Sequence, residues 1–247
     1  MGTFLKRVPI VSTHERKDCM SKVNWKGGAL LGPLPAVMVS CGTMEKANVF
    51  TVAWTGIVST IPPRAYISVR PTRHSYQMIK ESGEFVINLT PRSLCETCDY
   101  CGIVTGRCVD KVKKCGFVLE PSEQVAAPRI AQSPLSLECR VFDVIPLGSH
   151  DMFLCDILSV AVDESLIDKK GKLHLDRAGL VAFAHGEYYA LSDVIGAFGF
   201  SVADKKKGKG AVIAEPGTGK ASSGENRPEK RNLSRQNDRR YSRKGKK

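Results

Sequence analysis

A mainly β domain, folded as a closed or partly closed antiparallel barrel and followed by a basic appendage, is the class this sequence predicts. Three observations carry it. Short β-branched runs recur along the chain, helical spacing is confined to two places, and the strand–helix alternation of a doubly wound sheet is missing. The charge is also segregated: of the net +12 over 247 residues, most falls between Lys205 and Lys247, where 15 Lys or Arg face 4 Asp or Glu. Residues 1–204 are almost neutral, with 22 basic against 21 acidic side chains.

Residues 1–27 read as an N-terminal extension. Its opening, MGTFLKRVPIVSTHERKD, turns charged too soon for an export signal, and Lys6 stands where a myristoylation signal needs Ser or Thr, so neither leader nor anchor is expected. The longest apolar stretch, Ala29 to Cys41, is broken by Pro33 and Pro35 and falls short of the roughly 18 apolar residues a membrane span needs. The barrel is expected over residues 28–204. Pro35 to Ser40 (PAVMVS) predicts a first strand, Cys41 to Asn48 a turn, and Val49 to Trp54 a second strand that sets Thr51 among apolar neighbours. Arg64 to Val69 predicts a third, after the Pro62-Pro63 break. Thr72 is placed to cap a helix over about Arg73 to Glu81, and Glu84 to Leu89 predicts the next strand after Gly83. Pro91 to Cys115 reads as a cysteine-rich helical region. Leu135 to Leu147 and Asp151 to Glu164, joined by Gly148-Ser149-His150, predict a hairpin, and Leu180 to Ala184 a short strand before a polar turn and a glycine-broken end.

The tail over residues 205–247 has almost no apolar residues with which to offset its ordering entropy, so disorder is expected there. AEPGTGKA, Ala214 to Ala221, approximates a phosphate loop. Ala221 stands where the hydroxyl residue belongs, however, and no apolar helix follows. Nine cysteines cannot all pair within one chain, and a reduced cytoplasm is the expected compartment.

NVFTVAWTG (Asn48 to Gly56), STIPPRAYISVRPTRHSY (Ser59 to Tyr76), GEFVINL (Gly83 to Leu89), DYCG with Gly106 beyond it, and the final HGEYY and IGAFG occur in an order that resembles the flavin reductase-like, FMN-binding split-barrel proteins, above all the flavoredoxins. The resemblance implies a Greek-key split barrel, a homodimer, and FMN bound near the subunit interface. It assigns Asn48, Thr51, Trp54 and Thr55 to the ring end of FMN and Arg70, Thr72, Arg73, His74 and Ser75 to its phosphate, with Asn88 toward the ribityl chain. It also brings His185 and Tyr188 near the flavin or the dimer contact.

The residue types suit that ligand. An isoalloxazine takes an apolar surface with a few hydrogen bonds at its edge, and a phosphate takes cations, hydroxyls and a helix N-terminus. Each also has an ordinary role, Trp54 as core packing and the arginines as solvated surface charge. Cys95, Cys98 and Cys101 recur every third residue, with Cys108 and Cys115 following at intervals of seven. Three readings stay open for them: inert thiols, a redox-active pair, or a metal or iron–sulfur site whose fourth cysteine would arrive late. The expected activity is an FMN-dependent oxidoreductase or electron carrier. NAD(P)H, bound transiently for want of a Rossmann fingerprint, or a redox partner protein would supply electrons to pass on to a flavin, a protein or a small acceptor. The contrasting reading is a nucleic-acid-associated protein that binds RNA or DNA through its basic tail.

Overall fold

The structure is a computed structural model that describes residues 20–202; the expectations for residues 1–19 and for the tail from 203 onward fall outside the described residues. Strands β1 (Leu34–Pro35), β2 (Val37–Cys41), β3 (Asn48–Val52), β4 (Thr55–Thr60) and β5 (Pro63–Val69) precede helix α1 (His74–Ser82). Then come β6 (Glu84–Leu89), helices α2 (Cys95–Ile103) and α3 (Lys111–Cys115), and the two-residue strands β7 (Leu119–Glu120) and β8 (Arg129–Ile130). The long β9 (Leu135–Pro146) and β10 (Asp151–Val162) follow, and β11 (Val181–Ala184) with β12 (Glu187–Ala190) closes the unit that ends at Asp193. The described part of the other unit, residues 194–202, contains a turn in which Gly199 has a positive φ of 84°.

Seven strands form one antiparallel sheet in the order β3-β2-β6-β9-β10-β5-β4. Strand β5 alternates as a half-buried strand should: Ala65, Ile67 and Val69 point inward while Arg64, Tyr66 and Ser68 face out. Val39, Phe50, Ile67, Ile79, Phe85 and Phe153, from six different elements, meet in a single cluster, so the sheet curls around one core. Each of these large side chains contributes about 1.5–3 kcal/mol by leaving water. Strands β2 and β3 are buried on both faces, because Cys98 and Cys101 of α2 pack with Phe117, Ile130 and Val181 over Met38 and Val49. That helical layer leaves a cleft along β3.

The predicted elements are present, but the structure adds β7, β8 and, in place of the expected polar turn and glycine-broken end, β12, and it differs at two further points. Between the second and third predicted strands runs the additional β4, which pairs on one side with β5 and leaves Ile57 and Val58 exposed. Its glycine and its missing apolar–polar alternation hide it from periodicity. Thr72 does not cap α1; Arg73 occupies that position and makes no side-chain capping bond. At the other end Gly83, with φ 69°, sends its N–H back to Ile79 and stops the helix, as the Ser82-Gly83 break predicts.

Candidate functional site

The turn Arg70-Pro71-Thr72-Arg73, closed by the Arg73 N–H on the Arg70 carbonyl at 3.0 Å, delivers the chain into α1. A helix start leaves backbone N–H groups without acceptors and carries partial positive charge. Here it faces a hollow of about 240 Å³ lined by Asn48, Phe50, Arg70, Thr72, Arg73, His74 and Ser75 together with Val104 to Gly106 and Lys111. Asn48 Nδ2 donates to Ser75 Oγ at 2.6 Å, which fixes both side chains. Gly106 lies so close that a Cβ there would stand 2.4 Å from Asn48 Oδ1 and 2.9 Å from His74 Cδ2, so only glycine closes this wall.

Lys111 is 3% exposed, and its ammonium donates to the Cys101 carbonyl at 3.1 Å. No carboxylate pairs with it among the described residues. Burial, the largest influence, pulls its pKa below the ordinary lysine value, although the charge of neighbouring thiolates would pull the other way. A buried cation with one carbonyl partner and two further N–H bonds to give is a donor set for an anion.

Phe50, Arg70 and Arg73 also line a second, larger cavity of about 550 Å³ between β3, α2 and the β11–β12 hairpin, so the two spaces adjoin. Thr51, Trp54, Asp99, Gly102, His150, Phe183 and Tyr188 stand around it. Arg73 is held by its Nη1 on the Gly102 carbonyl at 2.7 Å, and Thr51 Oγ1 donates to the Cys98 carbonyl. Trp54, half-exposed, stacks with His150 at 6.3 Å between ring centroids and 17° between planes. His150 Nε2 accepts from Arg70 Nε at 3.4 Å and Nδ1 lies 2.9 Å from Ser149 Oγ, and burial together with Arg70 and Arg73 lowers its pKa, which favours the neutral imidazole. Tyr188 packs edge-on to Phe183, and burial beside Cys98 and Asp99 pushes its hydroxyl pKa up.

Of the residues expected from sequence, Thr51, Trp54 and Tyr188 line the larger cavity, Arg70 and Arg73 line both, and Asn48, Thr72, His74 and Ser75 line the hollow. Asn48 thus stands at the basic end and not with the ring group. Thr55 and Asn88 line neither space. Thr55 Oγ1 donates to the Tyr66 carbonyl at 2.6 Å, and Asn88 is buried with Nδ2 on Met38, Ser40 and Val86 and Oδ1 accepting from Ile130 and Ser136. His185 forms the two-residue turn of the β11–β12 hairpin with Gly186, at φ 49° and 86°, and Gly186 is the one at the cavity.

Sequence reasoning misses Lys111, Asp99 and His150. Lys111 had a signal: it precedes Cys115 by one helical turn in KVKKC, so the face carrying that cysteine inward carries this lysine with it. Within the cysteine cluster Cys98 and Cys101 are buried, Cys95 half-buried and Cys108 exposed. No three His, Cys, Asp or Glu side chains gather around a metal position among the described residues.

Residues 31–192 match the flavin reductase like domain. The flavoredoxin of Desulfovibrio vulgaris (Miyazaki F) superposes with a TM-score of 0.69 at 29% identity, over 74% of this chain and 100% of that one. The flavoredoxin from Methanosarcina acetivorans does so with a TM-score of 0.67 at 25% identity, over 72% and 95%. An uncharacterised protein of Pyrococcus abyssi is 28% identical over 170 residues, which are 69% of this chain and 97% of its own. The curled antiparallel sheet is therefore a split barrel, and the chain belongs to the flavin reductase-like family.

Proposed function

We propose that this protein is an FMN-dependent oxidoreductase or electron carrier, taking electrons from NAD(P)H or a redox protein and passing them to a flavin, a protein or a small acceptor. The observation that carries the reading is the junction of an open aromatic-walled cavity with a small hollow holding Arg70, Arg73 and the buried Lys111 at a helix start. The larger volume, about 550 Å³, lies within the roughly 300–1,000 Å³ of small-molecule sites.

In this reading Arg70, Arg73, Lys111 and the first N–H groups of α1 hold the phosphate, and Thr51, Trp54, His150 and Tyr188 border the ring. Bound FMN supplies the electron transfer itself. The protein's part is to orient and to tune: the Tyr188 hydroxyl offers a hydrogen bond without adding charge, His150, its nitrogens engaged by Arg70 and Ser149, lends its ring beside Trp54, and Asp99 is the one carboxylate at the cavity among the described residues. A homodimer is supported by the exposed Ile57, Val58, Phe142, Leu158 and Val160 on β4, β9 and β10, apolar side chains that an interface would cover.

Titration of the flavin-free protein is expected to saturate near one FMN per chain, with FAD binding less well. Equal affinity for both, or uptake of neither, would sink the assignment. A chain ending at Asp204 is expected to stay folded and keep FMN, since the family match ends at residue 192 and the last strand among the described residues at Ala190. Any salt-sensitive binding of the full chain to RNA or DNA is expected to vanish with the Lys- and Arg-rich residues 205–247. Loss of flavin on truncation would instead make the tail part of the site.

A further inference from the structure

Two thiols meet where α2 joins α3. Cys101 Sγ lies 3.9 Å from Cys115 Sγ, the first buried and the second half-buried. The segment between them supplies Val104, Gly106 and Lys111 to the wall of the basic hollow, and Lys111 reaches back across the joint to the Cys101 carbonyl. A disulfide needs its sulfurs at about 2.05 Å, so this pair would close by roughly 1.9 Å.

We infer that Cys101 and Cys115 form a reversible dithiol–disulfide couple whose state positions Lys111 and thereby sets how tightly the hollow holds a phosphate. The link to flavin rests on the function proposed above; the thiol chemistry does not. Cys115 is the more exposed of the two residues. Burial, followed by the neighbouring Cys115, pushes Cys101 up to about 12, so it remains a thiol until its partner has reacted.

With a peroxide as oxidant, the Cys115 sulfur attacks, the O–O bond breaks, and Cys115 becomes a sulfenic acid as the first water leaves. The Cys101 sulfur then attacks that sulfur, the S–O bond breaks, and the proton of Cys101 departs with the oxygen as a second water. Two thiols have lost two electrons and the peroxide has gained them. A small dithiol reverses the change by exchange. The Lys111 charge favours a developing Cys101 thiolate, and a phosphate in the hollow draws on the same ammonium. Occupancy and oxidation therefore oppose each other. Cys139 also lies against a thiol, that of Cys155, but both are fully buried in the barrel core and serve as an internal reference.

The full chain, treated with hydrogen peroxide and digested without reductant, should yield a Cys101–Cys115 linked peptide while Cys139 and Cys155 stay as thiols. Its FMN affinity should fall by about tenfold and recover with dithiothreitol. FMN present during the treatment should slow the linkage. Cys115→Ser should bind FMN as the reduced protein does and ignore peroxide. Linkage through Cys95 or Cys108, no linkage, or linkage with unchanged FMN affinity would overturn the inference. A reduced protein that takes up no FMN would overturn the proposed function, and the peptide mass alone would still decide the dithiol.

Discussion

Replacing Glu138 with alanine is expected to cost about 3–5 kcal/mol of folding stability, the range for removing one partner of a buried charged network. This carboxylate sits at zero exposure near the start of β9. Oε2 accepts from the backbone N–H groups of Glu123 and Gln124 at 3.1 and 2.7 Å, and Oε1 accepts from Glu123 at 3.1 Å and lies 3.7 Å from Arg129 Nη1. Glu84 repeats the device, taking the Ala126 N–H at 2.8 Å. These carboxylates clamp a segment whose Val125 and Ala127 cover Val86 of β6. Alanine would strand two backbone donors and leave Arg129, whose Nε already lacks a partner, without its buried counter-charge. Chemical denaturation of the alanine and glutamine variants checks the assignment. Glutamine retains an acceptor of similar size and should recover part of the loss; an alanine variant as stable as the native chain would show that the clamp carries no weight.

What the sequence reveals divides along a physical line. Elements closed by local chemistry are legible: Gly83 ends α1, and the turn Gly148-Ser149-His150 joins β9 to β10 with Asp151 opposite Pro146. The longest strand that escapes detection is β4, an edge strand whose exposed Ile57 and Val58 break the alternation on which the reading depends; the mostly exposed β12 and the two-residue β7 and β8 escape with it. The site divides in the same way. Arg70 to Ser75 are contiguous, so their gathering of charge and hydroxyls at a helix start is visible in a string of letters. Lys111, Asp99 and His150 come from three other parts of the chain; the packing of α2 and α3 against β3 brings the first two alongside, and the pairing of β10 with β5, Asp151 opposite Val69, brings His150. Asn88 shows the converse. Its amide looks available in the sequence, but five hydrogen bonds within the sheet and to Ile130 absorb it.

Exchange of Lys111 for methionine should move binding and stability in opposite directions, which separates a ligand-holding role from a structural one. Methionine matches the aliphatic stem but removes the ammonium, so FMN binding is expected to weaken by about 2 kcal/mol, roughly thirtyfold in Kd, the worth of one charge-assisted hydrogen bond. The flavin-free protein should be as stable as the native chain or more so. Its lysine is buried with, among the described residues, a single carbonyl partner, and folding has to strip that charge of water. The pH dependence carries the same sign. Burial holds the folded pKa below the unfolded one, so the unfolded chain binds the proton more tightly between the two values. The cost of Lys111 is fully present below the folded pKa and lifts as pH climbs toward the ordinary lysine value; in that window the native chain should gain stability relative to Lys111→Met. Flavin titration and denaturation of both flavin-free proteins across neutral and alkaline pH measure the two effects. A folded Lys111→Met protein with unchanged FMN affinity would remove the buried ammonium from the phosphate site.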